Sequence, residues 1–216
     1  ELYIGAFLLS EPEAGSDATS QRTTAEDKGD HYLINGTKNW ITNGSSASIY
    51  IVICQTDREK GHKGINALIV ERGMDGFIVG AKEDKMGIRG SETRAVYFDK
   101  VVVPATNIIG EPGKGFKIAM NVLNTGRLSL GSGSVGGMKA ILKLSTAQAK
   151  TRKQFGDSII NFGLIQEKLT VMAANIYAAE SIVYMTTGKM GQGMSDFSHE
   201  SAICKVYCSE KLWDTI

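Results

Sequence analysis

An aromatic ring and a hydroxyl share one face of a predicted strand. Trp40 and Thr42 are two positions apart in the sequence NWITNG, and side chains two apart on a strand point to the same side. The pair suits a flat ring system such as an isoalloxazine, because the indole offers a stacking plane and the hydroxyl offers a hydrogen bond near a reactive ring nitrogen. A tryptophan buried in the core is the alternative, and the sequence leaves both open.

Two further segments carry groups that could hold a charged or polar ligand. The loop from Ser10 to Asp17 follows a predicted strand and offers hydroxyls, backbone N–H groups and a close-approach glycine, so it could bind an anion or the polar edge of a ring. At the end of a predicted helix, the guanidinium of Arg152 could hold a pyrophosphate. An ordinary loop and a solvated basic turn are the respective alternatives.

One glycine-rich stretch invites a different interpretation. Residues 131–136 match the G-x-G-x-x-G pattern of dinucleotide-binding proteins, but helical periodicity lies on both sides and no acidic residue follows at a strand end. We therefore interpret the glycines of 131–137 as positions where another helix or a flat ligand comes close.

Composition narrows the class of protein. The 216 residues carry 24 Lys+Arg against 23 Asp+Glu, a net charge of +1, which gives no electrostatic case for binding nucleic acid. No window approaches the apolar length of a transmembrane segment. The three cysteines, Cys54, Cys204 and Cys208, form no disulfide framework and indicate an intracellular reducing compartment. Cys204 and Cys208 are four positions apart and could share a helix face, and we interpret them as two small core residues, with a metal or redox pair as the alternative. We expect no metal site.

Hydrophobic periodicity divides the chain into two domains, 1–110 and 111–216. The first has short segments rich in Val, Ile, Tyr, Phe and Thr, which predict an antiparallel β-barrel or sandwich. The dipeptides Asn35-Gly36 and Asn43-Gly44 predict turns, the first of them a type I′ hairpin. The predicted strands are 3–9, 21–26, 31–34, 38–41, 49–55, 65–70, 77–80 and 96–103.

The second domain has the period of long helices, so the fold class is α+β. Helices are predicted from residue 116 to about 153, from about 164, and after Asp196 or Ser198. In the second helix, an apolar stripe from Ile165 to Val183 predicts the side that faces the core. In the third helix, Ala202, Val206, Ser209 and Trp213 are predicted to share one face, with Trp213 in the core. Because regular patterns reach both ends and no Met begins the chain, we expect a fragment.

Taken together and in order, the segments resemble the acyl-CoA dehydrogenase family. The matching segments are SEPEAGSD (10–17), GTKNWITNG (36–44), KMGIR (85–89), VVP (102–104), GKGF (113–116), NTGR (124–127) and RKQFG (152–156). The resemblance covers essentially the whole chain, and residues 161–168 and 193–197 are most similar to the very-long-chain branch. It implies a middle β domain and the first part of a C-terminal domain of four-helix-bundle type, without the N-terminal helical domain and the last helices.

The resemblance also implies sites for FAD and acyl-CoA. Trp40 would stack on the isoalloxazine, and Thr42 would hydrogen-bond near N5. Arg152, Gln154 and Phe155 would reach the FAD of a neighbouring subunit, which implies a homodimer or homotetramer. The implied FAD contacts are Phe7, Leu9, Ser10, Gly15, Ser16, Trp40, Ile41, Thr42, Arg152, Gln154, Phe155, Ile159 and Phe162. The implied acyl-CoA contacts are Ser16, Ser91, Asn124, Thr125, Gly126 and Arg127.

The implied reaction is α,β-dehydrogenation of a fatty acyl-CoA in β-oxidation, with hydride transfer to flavin N5 and electrons passed to an electron-transfer flavoprotein. A glutamate removes the α-proton. In the family it lies far along the C-terminal bundle or just before the Arg of 124–127, where this chain has Gly126. We therefore expect no catalytic residue in this chain, a catalytic Glu beyond residue 216, and an inactive fragment. An acyl-CoA oxidase and a non-catalytic scaffold of the same fold remain alternatives. The bacterial cytoplasm or mitochondrial matrix is the expected location.

Overall fold

The computed structural model describes residues 3–216, which form a β-rich part followed by long helices. The strands are β1 (Gly5–Leu8), β2 (Thr24–Asp27), β3 (His31–Thr42), β4 (Ile49–Gln55), β5 (Ile65–Glu71), β6 (Phe77–Lys82), β7 (Thr93–Pro104), β8 (Lys153–Gln154) and β9 (Asp157–Ser158). The helices are α1 (Gly115–Thr151), α2 (Gly163–Gly191) and α3 (Ser198–Thr215). Within these residues, no helix is long and apolar enough to cross a membrane.

The chain divides into two compact units, a β unit that ends at Met120 and a helical unit, Asn121–Ile216. The division lies inside α1 and not at residue 110, where the sequence predicts the boundary. The reason is packing, because the beginning of α1 belongs to an apolar cluster of the β unit. Phe116, Ile118 and Ala119 of α1 pack there with Ile53, Ile65 and Ala67.

Seven strands form one curled sheet in the order β1-β4-β2-β3-β7-β6, with β5 paired to β4. The predicted strand-rich domain is confirmed, but the sheet is mixed and not wholly antiparallel. Strand β4 runs parallel to β1 and to β2 and antiparallel to β5. The inward side chains of the sheet form a continuous core that includes Leu8, Ile34, Tyr50, Val52 and Val96.

The predicted hairpin at Asn35-Gly36 is wrong. Strand β3 continues through this dipeptide for 12 residues, and its register against β7 shifts between Ile34 and Gly36. Gly36 has φ of 144°, and a Cβ there would lie 2.6 Å from the Cα of Thr23. The glycine therefore allows a bulge pressed against a neighbouring segment and does not reverse the chain. The second predicted turn, at Asn43-Gly44, is present at the end of β3.

Three helices pack around a common core in the helical unit. The predicted stripe of α2 is confirmed where Ile176, Ala179 and Val183 are buried. The predicted inner face of α3 is wrong, because Cys204 and Cys208 are buried while Trp213 is 77% exposed. Small side chains are buried on this face of α3 because it packs closely against α1.

The glycines of α1 make this close packing possible. A Cβ on Gly131 would lie 3.2 Å from the carbonyl oxygen of Cys204, and one on Gly137 would lie 3.0 Å from Leu212. The predicted approach of a second helix to this stretch is thus confirmed at two of its glycines. At Gly131 the backbone of α3 lies so close that a larger residue would require a shift, whereas at Gly137 the neighbour is the side chain of Leu212.

Candidate functional site

Trp40 lies on the outer surface of the β unit and is 62% exposed, so the buried alternative is wrong. The register of β3 against β7 shifts between Lys38 and Ile41, and Trp40 has φ of 61°, which is unusual for a bulky residue. This bulge resets the alternation of the strand, so that Lys38 and Ile41 both point inward while Trp40 and Thr42 are both exposed. The ring and the hydroxyl predicted to share a face are therefore available to a ligand.

The strand end at Ser10 lies directly beside this bulge. The N–H of Asn39 donates to the carbonyl of Ser10 at 2.8 Å. The Lys38 ammonium donates to the preceding carbonyl, that of Leu9, at 3.0 Å. The fold thus brings together two segments that are almost 30 positions apart in the sequence and that were predicted to bind a common ligand.

A buried ion pair joins the two segments, and it was not predicted from the sequence. Lys38 Nζ lies 2.7 Å from Glu11 Oε1, and the two side chains are 0% and 4% exposed. The ammonium also donates to Gln21 Oε1 at 3.1 Å. The Glu11 carboxylate accepts hydrogen bonds from the N–H groups of Arg22 and Thr23. The sequence did carry a signal for this pair, because Glu11 and Lys38 are charged residues of opposite sign in the two predicted site segments. A buried charge needs a partner, and each could supply one for the other.

Burial and pairing act in opposite directions on these two groups. Burial opposes the charge of Glu11, but the nearby Lys38 ammonium and the donated hydrogen bonds outweigh it, so the pKa of Glu11 is lowered. Burial also lowers the pKa of Lys38, although the carboxylate of Glu11 partly compensates. The pair holds its charge because every hydrogen of the ammonium has an acceptor.

A second carboxylate, that of Glu92, fixes the turn that follows Thr42. It accepts hydrogen bonds from Ser45 N at 2.7 Å and Ser46 N at 2.9 Å, and it pairs with Arg94 Nε at 2.7 Å. Burial opposes its ionisation, but these donors prevail, and the pKa of Glu92 lies well below its usual range. The segment 40–42, which exposes Trp40 and Thr42, therefore lies between two stretches that the carboxylates of Glu11 and Glu92 hold in place.

The remaining predicted FAD contacts in the β unit differ in how far their side chains are exposed. Phe7 and Leu9 are half-buried against the apolar cluster that includes Phe116. Ile41 is 2% exposed, so its side chain belongs to the core and is not available to a ligand. Gly15 is exposed, and a Cβ there would meet nothing within 4 Å. Within residues 3–216, the side-chain hydroxyls of three predicted contacts have no hydrogen-bond partner: Ser10, Ser16 and Thr42.

The substrate contacts predicted from the resemblance lie on a loop and on α1. Ser91 is half-buried, and its carbonyl accepts from Lys85 Nζ at 2.6 Å. On α1, Asn124 is 8% exposed and its Oδ1 accepts from Arg127 Nη1 at 2.9 Å, which orients the guanidinium. Thr125 and Gly126 are exposed on the same helix, and a Cβ on Gly126 would meet open space.

The last predicted group forms a small hairpin after α1. Strands β8 and β9 are joined by Phe155 and Gly156, with φ of 52° and 84°, as a type I′ turn requires. Phe155 is 97% exposed, and its ring lies 6.3 Å from that of Phe162. Arg152 and Gln154 are exposed, and Ile159 is half-buried. At 1.5 Å per residue, α1 separates this hairpin from Arg127 by about 36 Å. The two groups of predicted contacts in the helical unit therefore lie far apart.

Comparisons with known proteins identify the family. Residues 6–101 match the model of the acyl-CoA dehydrogenase middle domain, and residues 113–216 match that of the acyl-CoA dehydrogenase C-terminal domain. The chain belongs to the acyl-CoA dehydrogenase family. It is 45% identical to the mitochondrial very long-chain specific acyl-CoA dehydrogenase of Mus musculus, over 97% of this chain and 33% of that protein. The chain therefore spans about a third of this relative.

Solved acyl-CoA dehydrogenases share the fold. Butyryl-CoA dehydrogenase from Megasphaera elsdenii is 43% identical, with a TM-score of 0.91 over 99% of this chain and 56% of that chain. An acyl-CoA dehydrogenase from Bacillus anthracis, described as complexed with FAD, is 40% identical, with a TM-score of 0.84 over 97% of this chain and 39% of that chain. Among residues 3–216, no three His, Cys, Asp or Glu side chains cluster as a metal site would require.

Proposed function

We propose that the protein carrying this chain is an FAD-dependent acyl-CoA dehydrogenase that acts on fatty acyl-CoA. Residues 1–216 supply most of the surface for the flavin and part of that for CoA. The observation that carries the proposal is the exposed Trp40, held on a bulge beside the strand end at Ser10. A large aromatic ring held outward in a strained conformation, next to unpaired hydroxyls, is typical of a ligand site.

The residues present fit a flavin. The exposed indole of Trp40 is available for stacking, and the hydroxyls of Ser10 and Thr42 have no partner within residues 3–216. When bound, FAD supplies the acceptor for the hydride removed from the substrate. Trp40 would orient the flat ring, and the hydroxyls of Thr42 and Ser10 would donate hydrogen bonds to it, which would favour the negative charge that the ring gains on reduction.

We assign the hairpin after α1 to the FAD of a neighbouring subunit. Three exposed side chains, those of Arg152, Gln154 and Phe155, support this assignment, because they make few contacts in the chain itself. The guanidinium is suited to a pyrophosphate and the ring to an apolar surface. A homodimer or homotetramer follows from the proposal.

We assign the beginning of the helical unit to CoA. Arg127 is oriented by Asn124 and can pair with phosphate oxygens or lie over an adenine ring. The resemblance alone assigns Ser16 and Ser91 to CoA. We place the glutamate that removes the α-proton outside this chain, and an electron-transfer flavoprotein as the electron acceptor. Gly126 stands where some members of the family carry this glutamate, and a larger side chain would fit there without steric conflict.

Replacing Trp40 tests the proposal. In the protein that carries this chain, Trp40→Ala is expected to raise the dissociation constant for FAD about fivefold, because a lost aromatic contact costs about 1 kcal/mol and 1.4 kcal/mol is a factor of ten. Thermal stability of the apoprotein should change little, since the ring is exposed. The measurement is titration of apoprotein with FAD, followed by bleaching of the flavin on addition of an acyl-CoA.

Trp213→Ala is the matched control, because Trp213 is also exposed but lies on α3. It should bind FAD as the wild type does. The proposal fails if the wild-type protein binds no FAD, or if Trp40→Ala binds it with unchanged affinity.

A further inference from the structure

Lys38 makes an unusual contact with the backbone of the proposed flavin site. Its ammonium is fully buried and donates to the carbonyl oxygen of Leu9 at 3.0 Å, while Glu11 and Gln21 accept its other hydrogens. Lys38 has no exposed surface, so it cannot itself contact a ligand. Any effect on the site must pass through the groups that it holds.

The geometry of the peptide bond determines what this contact does. The Leu9 carbonyl and the Ser10 N–H belong to one peptide group, which is planar and trans, so the two bonds point in opposite directions. A carbonyl directed at the buried ammonium therefore directs the Ser10 N–H away from the network. The next carbonyl, that of Ser10, is fixed by Asn39 N–H at 2.8 Å. Both peptide groups that flank Ser10 are thus anchored to β3.

We propose that Lys38 is a positioning residue, which aims and polarises the Ser10 N–H as a hydrogen-bond donor to the flavin. This inference rests on the proposed function. A charged donor on the carbonyl side of a peptide draws electron density from the group and strengthens the N–H on its other side. A stronger, pre-oriented donor stabilises the negative charge that the flavin ring gains on reduction, so the reduced cofactor binds more tightly than it would otherwise.

Three variants of the holoenzyme separate positioning from stability. Lys38→Met removes the donor but leaves Glu11 as an unpaired buried charge. The double variant Lys38→Met/Glu11→Gln removes the donor and that charge together, which limits the loss of stability. Glu11→Gln alone keeps the contact between Lys38 and Leu9. Lys60→Met is the control, because it breaks an exposed ion pair of 2.9 Å with Asp57 in the same unit.

The readouts are the dissociation constant for FAD, the midpoint potential of the bound flavin and the thermal midpoint of unfolding. Both variants that lack Lys38 are expected to bind reduced FAD at least tenfold less tightly relative to oxidised FAD. For a two-electron couple, this corresponds to a midpoint potential about 30 mV more negative. Glu11→Gln should lose thermal stability without a fall in the potential, and Lys60→Met should match the wild type.

A folded double variant with wild-type affinity and potential overturns the inference, whatever its thermal midpoint. A more negative potential in Glu11→Gln, which retains the donor, also overturns it. If the wild-type protein binds no FAD, the proposed function fails and this inference fails with it. If the wild type binds FAD and the Lys38 variants are merely less stable, only the role of Lys38 is lost.

Discussion

The two exposed aromatic groups proposed to meet the cofactor are built in different ways. Trp40 belongs to a segment held by contacts distant in sequence, since Lys38 and Glu11 are 27 positions apart and Ser45 and Glu92 are 47 apart. Phe155 lies on a hairpin whose hydrogen bonds among the described residues are local. The longest of these joins Ser158 and Lys150, eight positions apart.

This difference indicates what each region requires. The site at Trp40 forms when the β unit folds, because its anchors are buried in that unit. The hairpin places Phe155 in the solvent and has no buried anchor for its tip. We infer that the part of the flavin site around Trp40 is built within the β unit of one chain, whereas the hairpin acquires its proposed role only on contact with a partner.

The largest expected effect is the loss of stability when the buried ion pair of Lys38 and Glu11 is broken. Glu11→Ala should lower the free energy of unfolding by about 3–5 kcal/mol, because it leaves the Lys38 ammonium buried and unpaired. Urea denaturation of the apoprotein measures this. Glu13→Ala is the matched control, since Glu13 is exposed and pairs with Arg22 at 2.6 Å on the surface. A loss below about 1 kcal/mol for Glu11→Ala would contradict the view that the ion pair anchors the site.

A smaller loss of stability is expected at low pH, through protonation of Glu92 and Glu11. Both pKa values are lower in the folded protein than in the unfolded chain, so the stabilisation is complete above the unfolded pKa and is lost as the pH falls towards the folded value. The β unit should therefore lose stability below about pH 5. Urea midpoints between pH 7 and pH 3.5 measure the loss.

Glu92→Gln sharpens this test. The variant should be less stable than the wild type at pH 7, and its stability should depend less on pH in the acid range, because one of the two responsible carboxylates is gone. An identical pH dependence in wild type and variant would show that Glu92 does not fix the turn through its charge.

The sequence predicted that Trp40 and Thr42 share a face, but it left their exposure open and did not identify the contacts that hold them. Alternation with period two placed Trp40 and Thr42 on one face correctly. It could not reveal that Lys38 faces the core, because the bulge between Lys38 and Ile41 depends on pairing with β7. The same limit explains the wrong hairpin at Asn35-Gly36. Whether that dipeptide ends or bends a strand is decided by contact with the distant Thr23.

In the helical unit, periodicity identified the helices but chose the wrong face of α3. Size alone favoured Trp213 for the core. The structure instead buries Cys204 and Cys208, because the glycines of α1 bring the two backbones close together. The interpretation of Cys204 and Cys208 as small core residues is therefore confirmed, while the face that was predicted from Ala202 to Trp213 is wrong.

The smallest expected effect on stability is at Phe155. Phe155→Ala should leave the thermal midpoint of the isolated chain unchanged, because the side chain is 97% exposed. It should nevertheless weaken assembly of subunits or binding of FAD several-fold, if the ring is completed by a partner as we propose. Sedimentation and FAD titration measure these two quantities.

Gly156→Asn is the matched control, because asparagine tolerates the positive φ of 84° and keeps the turn that presents Phe155. It should assemble and bind FAD as the wild type does. If Phe155→Ala also does so, the hairpin is only a connection between α1 and α2. If Phe155→Ala instead lowers the stability of the chain, the contrast with the Trp40 site is lost, because the tip would then be anchored within its own unit.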